Sequence, residues 1–183
     1  DAPVFIAGST WPPDEELLVG LIERYPDVKF IVAPHEIDPA RIEKFCERIS
    51  RPALRYTQLT PQSDLAAAGV LFVDTIGILS SVYRYGRWGY IGGGFGAGIH
   101  NTLEAATFGL PLAFGPRYGK FREARDLVTL RGAASIASAE ELERWFAGLH
   151  DDPDATGRSG TICKEYVLQH KGATARIMDE ICR

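Results

Sequence analysis

Short, fully apolar runs alternate along the chain with stretches in which apolar residues recur every three or four positions. The runs predict strands over residues 4–7, 28–33, 54–59, 70–73, 88–91 and 112–114, with a weak last strand over 134–137. Between them the spacing predicts helices over 13–25, 78–85, 103–108 and 121–130, one behind an Asp38 cap with Pro39 at its first position, and one behind Ser138. In the first helix Leu17, Leu18, Leu21, Ile22 and Tyr25 share a face, and Asp14, Glu15 and Glu16 fill the first turn, where the dipole favours acid. Behind Asp38, the residues Ile42, Phe45, Cys46 and Ile49 line a buried side. Ser138 with Glu141 forms a capping box for the helix carrying Leu142, Trp145, Phe146 and Leu149. Residues 151–183 read as a C-terminal helical tail, helical from about 156 to 181 and broken near Gly172. Strands that are apolar throughout, each followed by a helix, predict a parallel sheet covered on both faces. No repeat, low-complexity tract or interdomain linker interrupts the alternation. Residues 1–183 are therefore expected to form a single doubly wound, Rossmann-like α/β domain with helices on both faces.

Composition narrows the function without naming it. The chain has 183 residues, 45% hydrophobic and 24% charged, enough for a sizeable core. A net charge of −4 argues against a nucleic-acid or membrane-coating surface, so any phosphate must be held by local geometry. Three cysteines, Cys46, Cys163 and Cys182, are far apart and lack metal-ligand spacing, and are expected to be reduced thiols. No apolar run reaches membrane-spanning length and no signal peptide is present, so this piece is expected to be soluble. Asp1-Ala2-Pro3 leads straight into a strand without an initiator Met, as in a piece cut from something longer.

In a doubly wound sheet, ligands bind outside the carboxyl ends of the strands. Five loops at that edge share a small, polar character: Gly8-Ser9-Thr10, Pro34-His35-Glu36, Asp74-Thr75-Ile76-Gly77, the segment from Gly92 to Thr102, and Gly115 to Lys120. The fourth is the most informative. It places five glycines in seven residues (Gly92, Gly93, Gly94, Gly96 and Gly98) directly after a strand, then His100, Asn101 and Thr102 ahead of a helix. Such a junction lets the backbone come close to an anion and turns unpaired N–H groups toward it. Glu104 is open to two roles, as partner of an Asn101 cap or as a carboxylate accepting from ribose hydroxyls. His100 either satisfies a backbone carbonyl or donates to a phosphoryl or carboxylate oxygen. His35-Glu36 is either a plain turn or part of the ligand edge. Arg117 and Lys120 precede a helix and are placed to reach an anion, whereas Arg122 and Arg125 read as a solvated helix face. Asp152-Pro153-Asp154 mimics a metal-binding DxD motif, but Asp and Pro there also fit a cap and first helical position, so no metal site is assigned.

Taken together, these residues resemble a known family. Gly92-Gly93-x-Phe95, Gly98-x-His100-Asn101-x-Leu103-Glu104-Ala105, Gly109-Leu110-Pro111, Phe114-Gly115-Pro116 and Phe121-x-Glu123-Ala124 resemble the C-terminal half of 3-deoxy-D-manno-octulosonic acid (Kdo) transferases. Ala7-Gly8-Ser9-Thr10 and Val73-Asp74-Thr75-x-Gly77-x-Leu79 match as well, so that the resemblance runs to about Leu149. It implies the C-terminal half of a GT-B glycosyltransferase, an inverting enzyme that moves Kdo from CMP-Kdo onto a lipid A precursor in lipopolysaccharide biosynthesis. It implies no metal or other cofactor. It also implies an N-terminal acceptor domain, absent here, which supplies the catalytic base and the membrane association. The full-length protein would then work at the cytoplasmic face of the bacterial inner membrane, and this part alone would be inactive. The donor-binding residues so implied are Ser9, Thr10, His35, Glu36, Asp74, Gly77, Gly94, Gly96, Gly98, His100, Asn101, Thr102, Glu104, Arg117 and Lys120.

The chain departs from the family pattern in three places. Many members read Pro-Arg-His where this chain has Pro34-His35-Glu36. Their Gly-Gly-His-Asn is Gly98-Ile99-His100-Asn101 here, and the Asn before Phe121 is Lys120. Arg117 or Lys120 is the candidate substitute for the missing arginine. A dehydrogenase domain would carry its glycine motif after the first strand, not the fifth. A domain using another nucleotide sugar, such as a UDP-sugar, or a non-catalytic nucleotide-binding module, would show the same loops.

Overall fold

The computed structural model describes residues 2–172, 178, 180 and 181. Seven parallel strands form one sheet: β1 (Val4–Thr10), β2 (Lys29–Pro34), β3 (Ala53–Arg55), β4 (Val70–Phe72), β5 (Trp88–Ile91), β6 (Leu112–Phe114) and β7 (Ala133–Ser135), in the order β3-β4-β2-β1-β5-β6-β7. The helices are α1 (Pro12–Arg24), α2 (Pro39–Cys46), α3 (Leu79–Val82), α4 (Thr102–Ala106), α5 (Arg122–Leu130), α6 (Ala139–His150) and α7 (Pro153–His170), with 3-10 turns at Tyr56–Gln58 and Tyr83–Tyr85. The doubly wound, Rossmann-like α/β class expected from the sequence is the one observed.

Side-chain alternation along the strands sorts the core into two layers. Phe5 and Ala7 of β1, with Trp88 and Tyr90 of β5, pack against Leu18, Leu21 and Ile22 of α1 and Leu142 and Phe146 of α6. Ile6, Ile91, Leu112 and Phe114 face the opposite way, onto α4, α5 and α7. Trp88 sits in an aromatic nest with Phe146 at 4.9 Å, and its Nε1–H donates to Thr156 Oγ1 at 3.1 Å. Thr156 passes that bond on to the Leu149 carbonyl, joining α7 to the centre of the sheet. Cys163 is a buried free thiol whose Sγ–H donates to the Gly132 carbonyl, and burial pushes it up to about 12; Cys46 is half-buried and free. Cys182 lies outside the described residues.

Elements differ from their sequence reading where side chains capture the backbone. The third strand stops at Arg55, not residue 59, because the Thr57 N–H turns aside to the Asp74 carboxylate. The last strand stops at Ser135, and the Ala137 N–H beyond it is taken by Glu141. Ser138 does cap α6 through the Glu141 N–H, so Glu141 closes the box one residue early, on Ala137. The tail helix begins at Pro153, three residues ahead of its reading, because Asp152 accepts from the Ala155 N–H. The reading of a helix to residue 181 meets Gly172 at φ +94°, with Met178, Glu180 and Ile181 helical beyond it and residues 173–177 and 179 outside the described set.

The topology locates the site. After β1 the chain builds β2, β3 and β4 on one side, then crosses to build β5, β6 and β7 on the other. Strand order reverses at β1, so the loops leaving β1 and β5 diverge and open a crevice between them, where a doubly wound sheet places its ligand. No helix among the described residues is long and apolar enough to cross a membrane.

Candidate functional site

The loops leaving β1 and β5 lock together at the switch point. Ser9 sits at a shift in the β1–β2 register, a bulge, and adopts φ +54°, an uncommon left-handed conformation for a side-chain-bearing residue. That turn brings the Ser9 carbonyl against Gly92, where an added Cβ would lie 2.1 Å from the oxygen. Gly92 is therefore a glycine of close approach between two backbones. Gly94 plays the same part against Gly115 of the β6 loop, whose Cα lies 2.6 Å from where a Gly94 Cβ would sit. Arg117 completes the brace: its N–H donates to the Gly94 carbonyl at 2.9 Å and its guanidinium to the Gly96 carbonyl at 2.7 Å.

Asp14 anchors the other side of the glycine loop. It lies in the first turn of α1 and is fully buried, yet three donors reach it: the Tyr90 hydroxyl at 2.6 Å, the Gly93 N–H at 2.9 Å and the Trp11 N–H at 2.9 Å. Burial first, and then the neighbouring Asp14 charge, push the Tyr90 phenol far above its usual range, so that it remains a donor. The acid read as a favourable helix-dipole charge is thus the hinge pin between α1, β5 and the loop.

Between these elements opens a cavity of about 540 Å³, walled by Trp11, Pro13, His35, Phe95, His100 and the loop from Gly93 to Gly98. The Trp11 Nε1–H donates to His100 Nε2 at 3.2 Å, and His35 stacks on both rings, with centroids at 4.6 Å and 4.3 Å. Burial, and after it the nearby His35, hold the His100 imidazole below its ordinary range, with Asp14 opposing. Among the described residues, the N–H groups of Phe95 and Ala97 make no backbone hydrogen bond. The arrangement is an apolar-walled pocket with two imidazoles among its lining.

The structure brings His35, Gly96, Gly98 and His100 to this cavity, and the other predicted residues are not among its lining. Asn101 caps α4 by accepting from the Leu103 N–H at 3.0 Å, and its amide donates to Glu104 at 3.1 Å, so Glu104 braces the cap from the α4 side. The α4 helix has only five residues, which leaves little macrodipole. Thr102 Oγ1 is buried with no hydrogen-bond partner among the described residues. Thr10 is fully buried and spends its hydroxyl on Glu15 at 3.0 Å. Burial raises the Glu15 carboxyl above its usual range against the pull of Arg41, which also donates to the Glu36 carbonyl.

Asp74 is occupied as well. It accepts from Arg55, from the Thr57 N–H and from the Thr57 hydroxyl, 2.6 to 2.9 Å away. Desolvation would raise this carboxyl, but those three donors together hold it below the usual carboxylate range. Gly77 is an exposed turn residue, the Glu36 side chain is exposed, and Lys120 is exposed in the turn before α5. Of the Asp152-Pro153-Asp154 motif, Asp152 is spent as the α7 cap. Among the described residues no group of three or more His, Cys, Asp or Glu is gathered closely enough to hold a metal ion. Trp11, Asp14 and Phe95 are the site residues that the sequence reading did not single out. The available signal was an aromatic residue and an acid flanking two prolines immediately after the first ligand-edge loop.

No family model matches the chain. The chain is 31% identical, over an alignment of 184 residues, to a 3-deoxy-D-manno-octulosonic acid transferase of Rickettsia bellii, covering 97% of this chain and 43% of the relative. It is 25% identical over 178 residues to the enzyme of the same name from Chlamydophila psittaci, covering 96% of this chain and 40% of that one. The chain thus spans less than half the length of these curated relatives. Among solved structures, the C-terminal CMP-Kdo binding domain of WaaA from Acinetobacter baumannii superposes with a TM-score of 0.79 at 23% identity, covering 92% of this chain and 90% of that domain. A HepE protein from Anabaena in complex with UDP and glucose gives a TM-score of 0.68 at 14% identity, covering 99% of this chain and 48% of that one.

Proposed function

We propose that this chain, a relative of the 3-deoxy-D-manno-octulosonic acid transferases along nearly its whole length, is the donor-binding half of a glycosyltransferase that moves Kdo from CMP-Kdo to a lipid A precursor. The observation that carries the reading is the convergence of the β1, β2 and β5 loops on one cavity at the topological switch point. Trp11, His35 and His100 meet there across sequence separations that no local packing need would impose. The solved neighbour whose name specifies CMP-Kdo binding supports a cytidine nucleotide over other donors.

In this reading the chain supplies binding and charge stabilisation. As the bond between Kdo and CMP lengthens, negative charge collects on the departing phosphate. The Phe95 and Ala97 N–H groups and the imidazoles of His35 and His100 are fixed donors for that charge, and they need no reorganisation at the moment of reaction. A general base must take the proton from the acceptor hydroxyl, and we assign that base, the lipid A surface and the attachment to the inner membrane to the other half of the enzyme. The metal-free chemistry belongs to the same proposal: loop amides and imidazoles do what a divalent cation does in other transferases.

Calorimetric titration of the chain with CMP, UMP and NAD, each with and without a chelator, tests the reading. The expected result is binding of CMP ahead of UMP, unchanged by the chelator. Equal binding of NAD, or binding that requires magnesium, would contradict it; preference for UMP would redirect it to a UDP-sugar donor.

A further inference from the structure

Trp11, His35 and His100 come from three different loops, yet their rings form one assembly. Trp11 and His100 lie within hydrogen-bond distance edge to edge, and His35 stacks on each of them with planes 26° apart. A ring nitrogen that accepts a hydrogen bond carries no proton, so the Trp11 bond assigns the proton of neutral His100 to Nδ1. Charging His100 would set an Nε2–H against the indole N–H, two donors face to face. Asp14 is the acid near enough to favour a charged His100, and both of its oxygens are already committed to Trp11, Tyr90 and Gly93. His35 is exposed to water and lies over the face of the Trp11 indole.

We propose that this trio is an anion contact built on one fixed tautomer. Trp11 is a positioning residue that holds His100 as a neutral Nδ1–H donor, and that N–H meets an anionic oxygen group of the donor. The inference rests on the donor-binding reading for its ligand, but the placement of the proton is a property of the ligand-free chain. Two parts of a CMP-linked acidic sugar offer such a group, the phosphate and the sugar carboxylate.

Nitrogen-15 NMR of the histidine rings in the free protein, followed from about pH 5 to 8, reads the proton directly. The expected result is an unprotonated His100 Nε2 beside a protonated Nδ1. In Trp11→Phe, which keeps an aromatic ring under His35 but removes the N–H, His100 should lose its single tautomer and begin to charge at higher pH. Binding is then measured across the same range with two probes whose own charge is constant there, the methyl phosphodiester of CMP and free Kdo. The affinity of at least one should fall roughly tenfold in Trp11→Phe, whose His100 no longer presents a fixed Nδ1–H. The probe that responds identifies the phosphate or the carboxylate as the partner. Protonation of neutral His100 at Nε2, or unchanged affinity of Trp11→Phe for both probes, would overturn the proposal. Failure of both probes to bind at any pH would also overturn the donor-binding reading, whereas a misplaced proton would leave that reading standing.

Discussion

Asp14→Ala is expected to cost about 3–5 kcal/mol of folding stability and to remove nucleotide binding with it. The side chain is fully buried and satisfies the Tyr90 hydroxyl, the Gly93 N–H and the Trp11 N–H at once. Alanine strands all three donors in a dry interior, where each unpaired group costs about 1–3 kcal/mol, less what local relaxation or an entering water recovers. The loss is a large share of a typical domain's total of about 5–15 kcal/mol. Asp14→Asn keeps the shape and one acceptor oxygen, but turns an NH₂ group toward a donor, and should fall between the two. Denaturant unfolding of the three proteins checks the order. A change below about 1 kcal/mol for the alanine variant would show that Asp14 does not hold the loop.

A second large effect is expected at Gly92. An added Cβ lies 2.1 Å from the Ser9 carbonyl oxygen and 2.7 Å from the Thr10 Cα, and both obstacles are backbone at the centre of the sheet. No rotamer change relieves that clash, so Gly92→Ala must push the β1 and β5 loops apart, at a cost of about 3 kcal/mol or more. Gly96 provides the control. It is exposed, and the nearest atom to its added Cβ is 3.6 Å away, so Gly96→Ala should stay within about 0.5 kcal/mol of the parent. Thermal melting of both variants, followed by CMP titration, separates the outcomes. Equal melting temperatures for the two would show that the loops do not interlock as described.

The fold was legible because the central strands are buried on both faces and therefore apolar over most of their length. Phe5 and Ile6 of β1 face opposite cores. The reading failed where a distant side chain captured backbone. Nothing in residues 54–59 announces that Asp74, well along the chain, will take the Thr57 N–H and end the strand. The glycine loop was visible as a local run, and so was its place at the ligand edge. The partners of that loop were not. Gly93 meets Asp14 and His100 meets Trp11 across most of a domain, and a one-dimensional pattern carries no signal for such pairs.

The same limit explains why the sequence could not tell engaged polar residues from available ones. Thr10, Asp74 and Arg117 all stand on the ligand edge with suitable chemistry. The structure shows Thr10 bonded to Glu15, Asp74 to Arg55 and Thr57, and Arg117 to the Gly96 carbonyl. Thr10 and Arg117 brace the loops at the cavity, and Asp74 the turn after β3, in a way that only the folded contacts reveal.

Mapping CMP-induced changes in amide chemical shifts onto the chain tests the central claim most directly. The account predicts that the largest changes fall on residues 92–98, on His35 and His100, and on Asn101 and Glu104 beside them, with the rest of the sheet unmoved. Changes centred instead on the groove lined by Arg131, Trp145 and Arg158 between α6 and α7, or no changes at saturating CMP, would contradict it.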